Sequence, residues 1–221
     1  MALFNINYNL KRRIQTSIIL FFLLFLMLIN NYFLAYCLII IGVFSLIEFI
    51  RMIFIIYKKE KIKQFFINLL FIIYIFLLCA ALLILSSFLK IKILIFLILI
   101  TCIASDIGGY MFGKIFKGPK LSKLSPKKTV SGAIGSLILS SMIIFFIFFY
   151  LTKNFDPYIL FVGCITSISC QLGDLFFSFL KRKSNLKDTS NFLPGHGGIL
   201  DRVDGILIGF PVGFLMLAMT Y

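Results

Sequence analysis

FFINLLFIIYIFLLCAALLIL, residues 65–85, runs for 21 positions without a charged side chain. As an α-helix rising about 1.5 Å per residue it spans roughly 30 Å, the thickness of a bilayer's hydrocarbon core. SIILFFLLFLMLI, residues 17–29, has the same character. The whole chain of 221 residues is 61% hydrophobic and 14% charged, whereas a soluble domain keeps about a quarter of its residues charged. The expected fold is all-α, a polytopic integral membrane helix bundle. The first run lacks a small-residue site of the A-x-A kind behind it and does not read as a cleavable signal peptide.

About seven transmembrane helices can be placed, near 14–30, 32–56, 65–86, 91–113, 132–152, 157–180 and 199–220. The connections alternate in charge. One side takes Lys11, Arg12 and Arg13, then Lys58, Lys59, Lys61 and Lys63, the six lysines between 114 and 128, and Lys181, Arg182, Lys183, Lys187 and Arg202, together 18 of the 22 basic residues. The other side has only Lys90, Lys92 and Lys153. The positive-inside rule then makes the N-terminus cytoplasmic. The formal charge of +14 reflects this topology and attraction to anionic membrane lipids. No soluble basic surface is visible, which argues against a nucleic-acid partner. The chain reads as a single integral membrane domain, 1–221, with N-terminal helices over 1–100 and the polar chemistry over 101–221. Cys37, Cys79, Cys102, Cys164 and Cys170 all fall within spans and form no CxxC pair, so they read as small core residues.

Acidic groups within a membrane are costly and mark function by default. Asp106 lies eight residues before Lys114 and Asp174 seven before Lys181, about 10–12 Å below the basic loops. Asp201 and Asp204 open the last span from the same side, so four carboxylates are expected in one shallow layer. Ser167, Gln171, Asp174, Ser178 and Lys181 follow helical spacing and form one polar stripe, which should face the bundle or a water-filled cleft. Gly205, Gly209 and Gly213 follow Asp201 at intervals of four, and Thr101, Ser105, Gly109 and Gly113 repeat the pattern. Such faces let helices approach closely, within one chain or between two copies in a homodimer. Asp201 and Asp204, three apart on one helical face, would repel each other. A magnesium ion would resolve that conflict, and so would ordinary ion pairs with Arg202, Lys181 or Arg182.

SPKKTVSG, residues 125–132, starts a span with a proline, the paired cations Lys127 and Lys128, and a capping Thr129 or Ser131. Free N–H groups beside lysines suit a phosphate. GGYMFGK at 108–114 fits G-x-x-x-x-G-K, but Ile115 stands where a P-loop needs Ser or Thr and the stretch ends a span. His196 sits in PGHGG, whose glycines let the backbone bend closely round a ligand. No nucleophile partner suggests a hydrolase triad.

SFLKRKSNLKDTSNFLPGHGGILDRVD, Ser178–Asp204, resembles the signature of phosphatidate cytidylyltransferases (CDP-diacylglycerol synthases). That signature runs S-x-x-K-R, then K-D, then P-x-H-G-G-x-x-D-R-x-D, and every one of its positions is filled. SPKKT at 125–129 and QLGDL at 171–175 are also similar to blocks of that family. Phe177 and Ser131 stand where many members carry Glu, so no role of those glutamates carries over.

The resemblance implies transfer of a cytidylyl group from CTP to phosphatidate, giving CDP-diacylglycerol and pyrophosphate with Mg2+ as cofactor. It implies a multi-pass protein of the cell membrane, by expectation the bacterial inner membrane, with its active site facing the cytoplasm. A lipid phosphate is already anionic, so the reaction needs positioning and cations more than a strong base. In this reading Asp174 and Asp201 bind metal, with Asp204 and Asp106 as supporting ligands. Lys181, Arg182, Lys187, Lys127 and Lys128 contact phosphates, and Ser125, Thr129 and Arg202 belong to the same nucleotide site. Asp188 orients a base or a ribose hydroxyl, and His196, Gly197 and Gly198 close over the nucleotide. A CTP-dependent transferase or kinase acting on an isoprenoid alcohol or ether lipid is the alternative. An ion transporter fits less well, because the acids lie near one face rather than at the midplane.

Overall fold

The computed structural model describes residues 22–122, 125, 128–190, 192 and 197–219. His196 and Lys127 lie outside the described residues. The described chain is helical almost throughout: α1 at 22–29, α2 (Asn31–Ile56), α3 (Lys61–Ser86), α4 (Leu89–Phe116), α5 (Val130–Thr152), α6 (Tyr158–Lys183) and α7 (Leu200–Ala218). Helices α2 to α6 are each long and apolar enough to cross a membrane. Their outer surface agrees, since Leu70 and Phe76 on α3 are 71% and 70% exposed, which only lipid or another apolar surface tolerates at such density. This is a multi-pass membrane protein. The 19 residues of α7 carry Asp201, Arg202 and Asp204 in their first turns, so α7 is not among those five.

The helices overrun the expected spans where they meet charge: α3 starts at Lys61 and α6 ends at Lys183. Hydropathy marks the bilayer, whereas the hydrogen-bond ladder continues until a cap stops it. Asn30 Oδ1 caps α2 by accepting the Tyr32 and Phe33 N–H groups at 2.9 and 3.3 Å. Asp156 Oδ1 accepts from Tyr158 N at 2.9 Å ahead of α6.

The chain forms two compact units, one made of the chain through Phe88 with Lys183–Arg202, the other of Leu89–Arg182 with Val203–Tyr221. In the first, α2 packs on α3, with Phe49 stacked on Phe71 at 3.7 Å between centroids. Lys183 reaches Tyr57, its ammonium 4.9 Å from the ring centroid.

The second unit is built on small residues. On α4 and α5, a Cβ at Gly108 would lie 2.6 Å from the Gly135 carbonyl oxygen, and one at Gly109 2.8 Å from Ser136 Oγ. Helices α6 and α7 run antiparallel in register at intervals of four. Gly205 faces Asp174, Gly209 faces Cys170 and Gly213 faces Thr166. A Cβ at Gly209 would meet Cys170 Sγ at 2.1 Å and its backbone nitrogen at 3.1 Å, so this helix pair depends on glycine. The stripes anticipated on the fourth and seventh spans therefore serve contacts within the chain. All five cysteines are free thiols.

Gly209→Val should force α6 and α7 apart. The expected loss is about 1–3 kcal/mol, typical of overpacking, read as a lowered unfolding temperature of the purified protein in detergent. Unchanged stability would mean the two helices do not meet at this register.

Candidate active site

The polar stripe of α6 turns inward within the second unit. Ser167 Oγ and Ser105 Oγ of α4 lie 2.8 Å apart. Gln171 Nε2 donates to the Ala133 carbonyl of α5 at 3.3 Å. One turn further on, Asp174 forms an ion pair with Lys128, and Lys181 lies 3.5 Å from Asp204 of α7. All four charged side chains are largely shielded, the most open being Lys128 at 31%.

Lys128 reaches Asp174 because both ends of its loop are tied down. Leu121 N–H donates to Lys128 O at 2.8 Å and Val130 N–H to Pro119 O at 3.0 Å. Within the loop, Lys128 N–H donates to Ser125 O at 3.0 Å. Thr129 is the N-cap of α5, its Oγ1 accepting from Gly132 N at 3.2 Å, and Ser131 donates its hydroxyl to Lys117 O. Thr129 rather than Ser131 therefore takes the capping role that either could have filled.

A cavity of about 240 Å³ opens here, lined among others by Asp106, Tyr110, Lys128, Thr129, Gln171 and Asp174. It combines a lysine and a helix N-terminus, which attract anions, with two carboxylates, which attract cations. Asp204 lies against the helix of Asp174: a Cβ at Gly173 would come 2.7 Å from the Asp204 carbonyl oxygen, and one at Gly205 2.8 Å from Asp174 Oδ1. Three of the four carboxylates anticipated in one layer thus belong to this unit. The two lysines offset the mutual repulsion of Asp174 and Asp204, so the ion-pair reading holds for Asp204 through Lys181.

Asp201 is elsewhere, in the first unit. Its Oδ2 accepts from Thr189 N at 2.9 Å and from Gly198 N at 3.0 Å, with Thr189 Oγ1 3.0 Å away. Gly197 has φ +83°, a conformation that favours glycine, and a Cβ at Gly198 would fall 2.0 Å from Thr189 Oγ1. Gly197 and Gly198 thus fold the backbone onto Thr189 and Asp201. Lys187, Asp188 and Arg202, also of this unit, are exposed, as is Arg182 in the second unit.

Among the described residues, no three His, Cys, Asp or Glu side chains gather into a group that could hold a metal ion. Magnesium at a nucleotide site rarely asks for one. It is usually held by one or two carboxylates, with water and substrate phosphates completing the shell. Asp174 and Asp204, hard oxygen donors side by side, fit that donor set.

Sequence comparison decides the family. The pattern that describes the Cytidylyltransferase family matches residues 3–220. The chain belongs to that family. It is similar to a phosphatidate cytidylyltransferase of Rickettsia bellii (strain RML369-C), 40% identical over 119 residues, covering 50% of this chain and 52% of the relative. A protein of the same name from Rickettsia conorii (strain ATCC VR-613 / Malish 7) is 43% identical over 112 residues, covering 47% of this chain and 49% of the relative. That of Mycobacterium leprae (strain TN) is 37% identical over 130 residues, covering 57% and 40%. The chain spans about half the length of the curated relatives it matches. In this cytidylyltransferase-family chain, Lys128 and Thr129 meet Gln171 and Asp174 at the cavity.

One buried acid escaped the sequence reading: Glu48 of α2, 4% exposed. The rule that singled out Asp106 and Asp174, an acid within an apolar span, applies equally to it.

Lys128 and Asp174 should be energetically coupled. Lys128→Met, Asp174→Asn and the double variant, compared by thermal unfolding, should show a coupling of about 1–3 kcal/mol. Additive losses would mean the pair is not formed.

Proposed function

We propose that this protein transfers a cytidylyl group from CTP to phosphatidate, forming CDP-diacylglycerol and pyrophosphate. The observation that carries the reading is the cavity at the start of α5, where Lys128, Thr129, Asp106 and Asp174 meet in a chain of the Cytidylyltransferase family. A triphosphate needs cations around it, and a metal that travels with it needs carboxylates; this cavity supplies both. The names of the relatives, phosphatidate cytidylyltransferases, support the lipid acceptor.

In this reading Asp174 and Asp204 hold Mg2+, with Asp106 on the cavity wall as supporting ligand. The bound ion supplies charge stabilisation for the reacting and departing phosphates. Lys128 and Lys181, which neutralise the two carboxylates, are placed to exchange those partners for phosphate oxygens. Lys127, Arg182 and Lys187 add positive charge for the phosphates, and Ser125 and Arg202 belong to the nucleotide site. Asp188 orients a base or ribose hydroxyl, and His196 with Gly197 and Gly198 closes over the nucleotide. Asp201, with two backbone donors on one oxygen, is better suited to holding that turn than to binding metal.

The reaction needs no strong general base, because the attacking phosphate is already ionised. Seven spans with a cytoplasmic N-terminus would place the charged loops on the side where CTP is found, leaving acyl chains in lipid. The location we propose is the bacterial inner membrane.

Purified protein with labelled CTP, phosphatidate and magnesium should yield labelled CDP-diacylglycerol in the lipid extract. Asp174→Asn should lower turnover at least about 100-fold, the scale of losing one preorganised electrostatic contact, while remaining folded. A wild-type protein that labels an isoprenoid alcohol and not phosphatidate would transfer the assignment to that lipid.

A further inference from the structure

Glu48 has no part in the reaction as proposed, yet few side chains here are so fully engaged. It lies within α2, buried and far in sequence from its partners. Its Oε2 accepts the Thr189 hydroxyl at 2.7 Å and the Leu200 N–H at 2.8 Å. Its Oε1 accepts the Ser190 hydroxyl and the Ile199 N–H, the latter at 3.1 Å. Each oxygen thus takes one hydroxyl and one backbone N–H. The backbone donors belong to the start of α7, where N–H groups lack partners within the helix and favour negative charge.

This pattern selects glutamate. In a glutamine the amide NH2 would replace one acceptor oxygen, leaving a backbone N–H facing another donor. Aspartate is one methylene too short to reach both stretches. Thr189, 1% exposed, also contacts Asp201 Oδ2 at 3.0 Å, so two carboxylates meet on one hydroxyl. Gly198 completes the fit, since a Cβ there would come 2.5 Å from Glu48 Oε2.

We propose that Glu48 is a positioning residue for cytidylyl transfer. It ties Thr189–Ser190 to Ile199–Leu200 and so holds Lys187 and Asp188 on one side, and Gly197 and Gly198 on the other, in the arrangement that receives the nucleotide. The inference rests on the reading of function given above. Glu48 itself touches no reacting atom; it acts through the backbone it holds.

The test compares the full-length wild type with Glu48→Gln, Glu48→Asp and Thr189→Val in detergent. It measures kcat, the KM for each substrate, unfolding temperature and amide hydrogen exchange. Glu48→Gln should raise the KM for CTP about tenfold with the KM for phosphatidate little changed, and the unpaired buried N–H should lower the unfolding temperature modestly. Amides of 198–200 should exchange faster, and Glu48→Asp should recover part of the loss. Thr189→Val, which removes the hydroxyl but leaves Glu48 its other three donors, should show the same pattern more weakly and decides the matter if Glu48 variants do not fold. Wild-type kinetics in Glu48→Gln, or a loss that follows unfolding temperature with the KM for CTP unchanged, would overturn the proposal. If the wild type forms no CDP-diacylglycerol, the functional reading fails separately. The exchange measurement then decides, since unaltered exchange at 198–200 in Glu48→Gln removes the positioning role.

Discussion

Two carboxylates placed side by side within a membrane protein require compensation, and the second unit is arranged around supplying it. Asp174 and Asp204 meet where α6 and α7 pack, and Lys128 and Lys181 neutralise them. Removing water from such charges costs several kcal/mol per ion, so an arrangement selected for stability alone would favour apolar side chains. Two acids and two bases held in this position are therefore what the proposed site rests on. The lysines hold the acids in place through ion pairs, and they are the groups a phosphate would compete for.

The close approach of helices makes the arrangement geometrically feasible. Gly205, Gly209 and Gly213 of α7 sit opposite Asp174, Cys170 and Thr166 of α6, and the first of these contacts brings the backbone of α7 to the Asp174 carboxyl. A side chain at Gly205 would occupy the space beside Asp174 Oδ1. Gly205 is therefore both a packing device and a close neighbour of the Asp174 carboxylate. The tied ends of the loop before α5 perform the corresponding task for Lys128, carrying a long flexible side chain to a defined carboxylate.

Much of this was legible from residue spacing. Long uncharged runs marked the helices, and the polar stripe from Ser167 to Lys181 faces inward as helical periodicity required. The glycine intervals predicted close helix contacts. Spacing could not tell Asp201 from Asp204, which share one helical face. Their difference lies in partners that are distant in sequence: Thr189 and Gly198 for the first, Lys181 for the second. Nor could it show that Lys128 pairs with Asp174, since a lysine in a basic loop reads equally well as a membrane anchor. Glu48 lay in plain view as an acid within an apolar span, but its partners begin 141 residues away, and only folding brings them together.

The central claim is that the Asp174–Lys128 cavity receives a magnesium-bound nucleotide. Equilibrium binding of labelled CTP to the purified protein, with and without magnesium, tests it most directly. The account predicts saturable binding that requires magnesium and is lost in Asp174→Asn. Equal binding without the metal, or undiminished magnesium-dependent binding by Asp174→Asn, would contradict it.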